Sequence, residues 1–225
     1  MSIKQQILKS DTFYHIYNHA VGNDKLFFME RNYSYFLSKY DEYISPIANT
    51  YCYCLMPNHF HFLIQLKSEK IIYTFLKEIN RIPETVISFE EFKELSSPDE
   101  DVDYLNLHLI KLFSSLFNGY AQAVNIQEKR KGNLFIKGFR RKEITSSEYL
   151  KDLILYIHLN PVHHQFADKL ETWKHNSYNS ILSDKPTKLK RNEMFNLFEG
   201  KENFVFSHNQ KNEEVIQRME SIMNE

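Results

Sequence analysis

Two histidines separated by one residue, His59 and His61, lie in the run HFHFLIQL. Its alternation marks a strand, on which successive side chains point to opposite faces. Phe60, Phe62, Ile64 and Leu66 take the face that wants a core, and His59 and His61 share the other with Leu63 and Gln65. Neighbouring imidazoles on one strand can hold one divalent ion through a nitrogen each. Two unrelated histidines on a half-exposed strand give the same pattern, because metal sites usually use at least three ligands. A second pair is Tyr156 and Asn160, which stand at i and i+4 on one face of a helix over 147–160. The phenol is a possible nucleophile, and the amide oxygen a third metal ligand beside it. A tyrosine near a helix end more often packs, and Tyr149 and Tyr120 compete for the same role. His158, two residues from Tyr156, faces away from it.

A third feature is the block 129–142, KRKGNLFIKGFRRK, with seven Lys/Arg, no acid, and Phe135 and Phe139 between them. Cations for phosphates and rings for bases suit a single nucleic-acid strand. Lys137, Arg140 and Arg141 are the candidate phosphate contacts. His163-His164 follows a proline expected to end the helix and reads as a wet loop. Cys52 and Cys54 read as small core residues.

The elements that must position these residues follow from periodicity. Residues 12–18 alternate and form a strand; 31–44 form a helix; 51–56 and 59–66 form a hairpin around Pro57-Asn58. A short helix covers 71–81 and a long one 104–128, with Leu105, Leu109, Leu112, Phe113, Leu116 and Tyr120 on one stripe. Residues 133–139 read as a strand, and Ser146 caps the helix that Pro161 ends. The order β-α-β-β-α-β predicts an α+β, ferredoxin-like (split βαβ) antiparallel sheet with helices on one face. Beyond residue 182 the chain is polar, with amphipathic pieces at 192–198 and 213–223, which predicts a C-terminal helical extension over 183–225. Residues 83–103 hold eight acids, one Lys and two prolines and read as a solvated insertion into the 1–182 domain.

The chain has 225 residues, 42% hydrophobic and 25% charged, an ordinary globular composition. Two cysteines two residues apart are no disulfide framework and suit a reducing cytoplasm. The N-terminus lacks an apolar signal core, and no stretch approaches the ~20 apolar residues of a membrane span. The net charge of −1 argues at first against nucleic acid. Segment 83–103 alone carries −7, however, which leaves +6 on the remainder. The neutral total averages an acidic excursion and a basic block.

MPNHFHFLI and YIHLNPV, with GNLF between them and WKHNSY after, together resemble the single-tyrosine HUH transposases, and most nearly the REP-associated tyrosine transposase-like branch. The resemblance spans roughly residues 12–182, with the motifs in the family's order. It implies that Tyr156 is the nucleophile, that His59, His61 and Asn160 hold Mg²⁺ or Mn²⁺, and that the substrate is single-stranded, hairpin-associated DNA. It further implies cleavage and rejoining through a 5′-phosphotyrosine. Shorter relatives work as dimers, and for this chain both a homodimer and a monomer stay open. The competing readings are a non-catalytic, domesticated nucleic-acid-binding protein on the same scaffold and a hydrolase that uses the histidines with water.

Overall fold

The computed structural model describes residues 6–96, 103–210 and 212–224. Strand β1 (Phe13–His19) leads through α1 (Glu30–Tyr43) to the hairpin β2 (Ala48–Met56) and β3 (His59–Leu66). Helices α2 (Glu69–Glu78), α3 (Phe89–Leu95) and α4 (Tyr104–Gln127) precede β4 (Arg140–Glu143). Then come α5 (Ser147–His163), α6 (Tyr178–Leu182), α7 (Arg191–Leu197), α8 (Lys201–Asn209) and α9 (Glu213–Asn224). The four strands run in the order β2-β3-β1-β4 with every pair antiparallel. This is the ferredoxin-like arrangement expected from the element order.

The two faces of the sheet bury different chemistry. Phe60, Phe62 and Ile64 of β3 join Tyr14 and Ile16 of β1 in one core, against Phe36 of α1 and Leu112, Phe113 and Tyr120 of α4. Each such side chain stabilises the fold by roughly 2 kcal/mol when fully buried. On the other face Cys52, Cys54, Met56 and Leu63 pack beneath Leu153, Ile154 and Ile157 of α5. Both thiols are fully buried, so the cysteines are core residues, and burial pushes their pKa well above 9. Met194, Phe198, Phe204 and Met219 of the C-terminal helices close over the same core, leaving α5 buried nearly all round. The strand β3 is therefore covered on both sides rather than half-exposed.

Three local expectations need correction. The strand predicted over 133–139 begins only at Arg140. Gly132 (φ +90°) and Gly138 (φ +80°) take left-handed conformations that interrupt pairing, so 133–139 forms no ladder and meets the end of β1 through an isolated bridge, Ala20 to Phe135, and the hydrogen bond from the Ile136 N–H to the His19 carbonyl at 2.9 Å. Pro161 does not end α5, which runs to His163. Pro161 lies in the last turn, whose closing bond runs from the His164 N–H to the Asn160 carbonyl at 3.0 Å. Finally, the acidic segment contributes to the core. Ser88 and Glu91 form a capping box for α3, and Phe92 is fully buried against Tyr73 and Tyr104. Residues 97–102 of that segment lie outside the described residues.

Candidate active site

Strand register brings the histidines together. His19 lies opposite His59, and Tyr17 opposite His61, so all four share the face beneath α5. The rings of His19 and His59 stack at 4.5 Å, and those of His59 and His61 meet edge-on at 5.2 Å. Ser146 accepts from the Tyr149 N–H and starts α5. From that start, Tyr156 and Asn160 fall one turn apart over the pair. The Tyr156 ring meets His61 edge-on at 5.5 Å, and Asn160 Oδ1 is 3.1 Å from His59 Nε2. Among these groups only His19 lies at the surface; His59, His61, Tyr156 and Asn160 are at most 3% exposed. A pocket of about 400 Å³ opens onto the group, with Arg140, His164 and Glu220 on its wall.

Tyr120 is excluded from this pocket: it lies in the opposite core and donates to the Leu26 carbonyl at 2.7 Å. Tyr149 does not line it either. Tyr17 does, although no periodicity argument had singled it out. His158 faces away from the pocket, as expected. Its Nδ1 meets His208 Nε2 at 2.8 Å and its Nε2 meets Ser177 Oγ at 2.9 Å. His208 donates in turn from Nδ1 to the Phe204 carbonyl, so this histidine chain ties α5 to α8.

Burial sets the electrostatics. It lowers the His59 pKa to about 3 and that of His61 well below the ordinary value; His19 and His164 are lowered less. Repulsion between the imidazoles adds to each effect, so the rings are neutral at pH 7 and carry lone pairs. Burial also raises the Tyr156 phenol far above 10, and the neighbouring Asn160 side chain opposes it in part. Tyr156 is therefore a protonated phenol at neutral pH.

The donor set suits a divalent cation. His59 Nδ1 faces Asn58 Oδ1 at 2.7 Å, and its Nε2 faces Asn160 Oδ1 at 3.1 Å. A neutral imidazole has one N–H, so it donates to only one of these two oxygens. The other contact sets a lone pair against an oxygen, which either a shared cation or a turned amide relieves. His61 Nε2 and Asn160 Nδ2 are buried without a hydrogen-bond partner among the described residues. At the mouth of the pocket His163, His164 and Glu220 bring three further ligand atoms within 4.8 Å of one another. His163 and His164 are exposed, but at a helix end beside the pocket and not in a loop.

The structure separates the basic residues. Arg140 shares the histidine face. Arg141 alternates to the other, where its guanidinium lies 5.1 Å from the Phe139 ring and donates to the Gln6 carbonyl. Lys137 lines a neighbouring groove of about 810 Å³ beside Lys129 and Arg130, which shares Asn18 and Ile136 with the tyrosine pocket. Sequence reasoning missed His19, Tyr17 and Glu220 and set His164 aside as a loop residue. The first two were readable from the alternation HIYNH in β1; the others depend on the packing of helix ends.

No family model matches the chain, and no curated protein does. One solved structure resembles it, that of a REP-associated tyrosine transposase bound to a REP hairpin. The TM-score is 0.50 at 12% sequence identity, over 83% of this chain and 89% of that one. The two chains share a fold. Among the described residues no helix is long and apolar enough to cross a membrane.

Proposed function

We propose that the chain is a metal-dependent, single-tyrosine DNA transposase that cleaves and rejoins single-stranded, hairpin-associated DNA. The observation that carries this reading is that Tyr156 and the buried His59–His61 pair line one pocket, with Asn160 against His59 behind it, on a fold shared with such an enzyme. His59, His61 and Asn160 would hold Mg²⁺ or Mn²⁺, supplying charge neutralisation and polarisation at the scissile phosphate. Tyr156 Oη attacks phosphorus, the bond to the 3′ oxygen breaks, and the products are a 5′-phosphotyrosine and a free 3′-OH. The phenol proton ends on that hydroxyl, so the step balances without a co-reactant. The new ester keeps the bond energy, and a 3′-OH can reverse the step without ATP.

The chain's own groups account for the rest. Arg140, on the pocket wall, is placed to bind a phosphate beside the scissile one, and Lys137 to hold the strand where it leaves through the adjoining groove. The test is a labelled single-stranded hairpin incubated with the protein and Mn²⁺. The reading expects a protein–DNA adduct that survives SDS. Salt-sensitive binding without an adduct on any hairpin substrate would instead support the non-catalytic reading, and turnover without one the hydrolase.

A further inference from the structure

His15 lies on β1 two residues from Tyr17, on the same face and beside the histidine pair. It is fully buried, and its Nε2 is 2.8 Å from His61 Nδ1. That contact is the one side-chain hydrogen bond His61 makes among the described residues. We propose that His15 is a positioning residue that fixes the tautomer of His61, leaving His61 Nε2 bare to bind the divalent cation. The inference rests on the metal reading above.

One proton occupies the contact between two neutral imidazoles. If it sits on His61 Nδ1, then His15 Nε2 accepts it and His61 Nε2 is a lone pair. If it sits on His15 Nε2, His61 carries its own proton on Nε2 and cannot ligate there. A cation on His61 Nε2 therefore requires His15 as the acceptor. The geometry at His59 follows the same plan. Its Nδ1 faces the Asn58 amide oxygen at 2.7 Å, which leaves Nε2 toward Asn160. Each imidazole of the pair thus has an acceptor at Nδ1, buried His15 for His61 and exposed Asn58 for His59, and a site-facing or unpartnered Nε2. Such outer partners orient ligating histidines and raise their basicity. His15 also stacks on Tyr17 at 4.5 Å and on His61 at 5.0 Å, so its own ring is held in place.

The experiment compares the full chain with His15→Leu, which removes the acceptor, and His15→Gln, whose amide oxygen can replace it. Mn²⁺ affinity is measured by calorimetry, and the His61 tautomer by ¹⁵N NMR with Mg²⁺ as the diamagnetic ion. His15→Leu should bind Mn²⁺ about 10- to 100-fold more weakly, with His15→Gln recovering most of the loss. In the Mg²⁺-loaded wild type, His61 should be protonated at Nδ1. Unchanged Mn²⁺ affinity in His15→Leu, or a His61 proton on Nε2 in the loaded protein, overturns the proposal. The wild-type spectrum distinguishes the two tautomers even if His15→Leu does not fold. Absence of Mn²⁺ binding to the wild type, or binding that survives His61→Ala, would overturn the metal reading itself along with this inference.

Discussion

Asn160→Leu separates what the site costs the fold from what it does for chemistry. Asn160 is fully buried, and its Nδ2 has no hydrogen-bond partner among the described residues. An orphaned buried donor costs about 1–3 kcal/mol. The Oδ1 contact with His59 returns about 1 kcal/mol where it is a hydrogen bond. Leucine has a similar volume and no polar atom, and the backbone carbonyl at 160 still accepts from the His164 N–H. The balance is a fold between unchanged and about 2 kcal/mol more stable. In a chain of this length that is a rise in Tm of about 0–8 °C. The same substitution removes one of the three candidate cation donors. Mn²⁺ affinity and adduct yield should then fall at least about 10-fold. Thermal melts followed by circular dichroism, with calorimetric Mn²⁺ titration, read both sides. A variant destabilised by more than about 2 kcal/mol with Mn²⁺ binding intact would show that Asn160 is structural and would remove it from the ligand set.

Other substitutions probe the supports of the site. Arg140→Ala should weaken single-stranded DNA binding and reduce the slope of log K against log salt by about 1, whereas Arg141→Ala should leave that slope unchanged and lower Tm; equal slopes for both would contradict the assignment of faces. Phe92→Ala should cost about 3–5 kcal/mol in urea unfolding, because α3 belongs to the core, and a loss below about 1 kcal/mol would return the segment to a solvated excursion. The histidine chain predicts acid lability. His208 titrates near 6.5 when unfolded and at about 4 when folded, lowered by burial and partly restored by the Phe204 carbonyl. Its contribution is complete above pH 6.5 and is lost as pH falls toward 4, a change of about 3 kcal/mol. Stability should fall over that window in the wild type and less steeply in His208→Phe, as checked by urea titrations at successive pH values.

The site was legible where one element sufficed to define it. The alternation of β3 puts His59 and His61 on one face, and helical spacing puts Tyr156 beside Asn160; both hold in the structure. The sheet order followed from the sequence of elements. Longer-range packing was not legible. Nothing local says that α5 and the C-terminal helices would bury the histidine face, or that Glu220 would reach its rim. Helix α8 escaped detection because only Phe204 and His208 are buried along it. The capping box of Ser88 and Glu91 was present in the sequence, but the surrounding acids obscured it. Arg140 and Arg141 looked equivalent within a charge run until the start of β4 assigned them to opposite faces.

The proposed chemistry stands on Tyr156, and no other tyrosine of the pocket, forming the bond to DNA. The decisive measurement is peptide mapping of the SDS-stable adduct by mass spectrometry, for wild type, Tyr156→Phe and Tyr17→Phe on one labelled hairpin with Mn²⁺. We expect a nucleotide remnant on the peptide containing Tyr156, no adduct in Tyr156→Phe, and a retained adduct in Tyr17→Phe. An adduct that persists in Tyr156→Phe, or a remnant that maps to Tyr17, would overturn the assignment of the nucleophile.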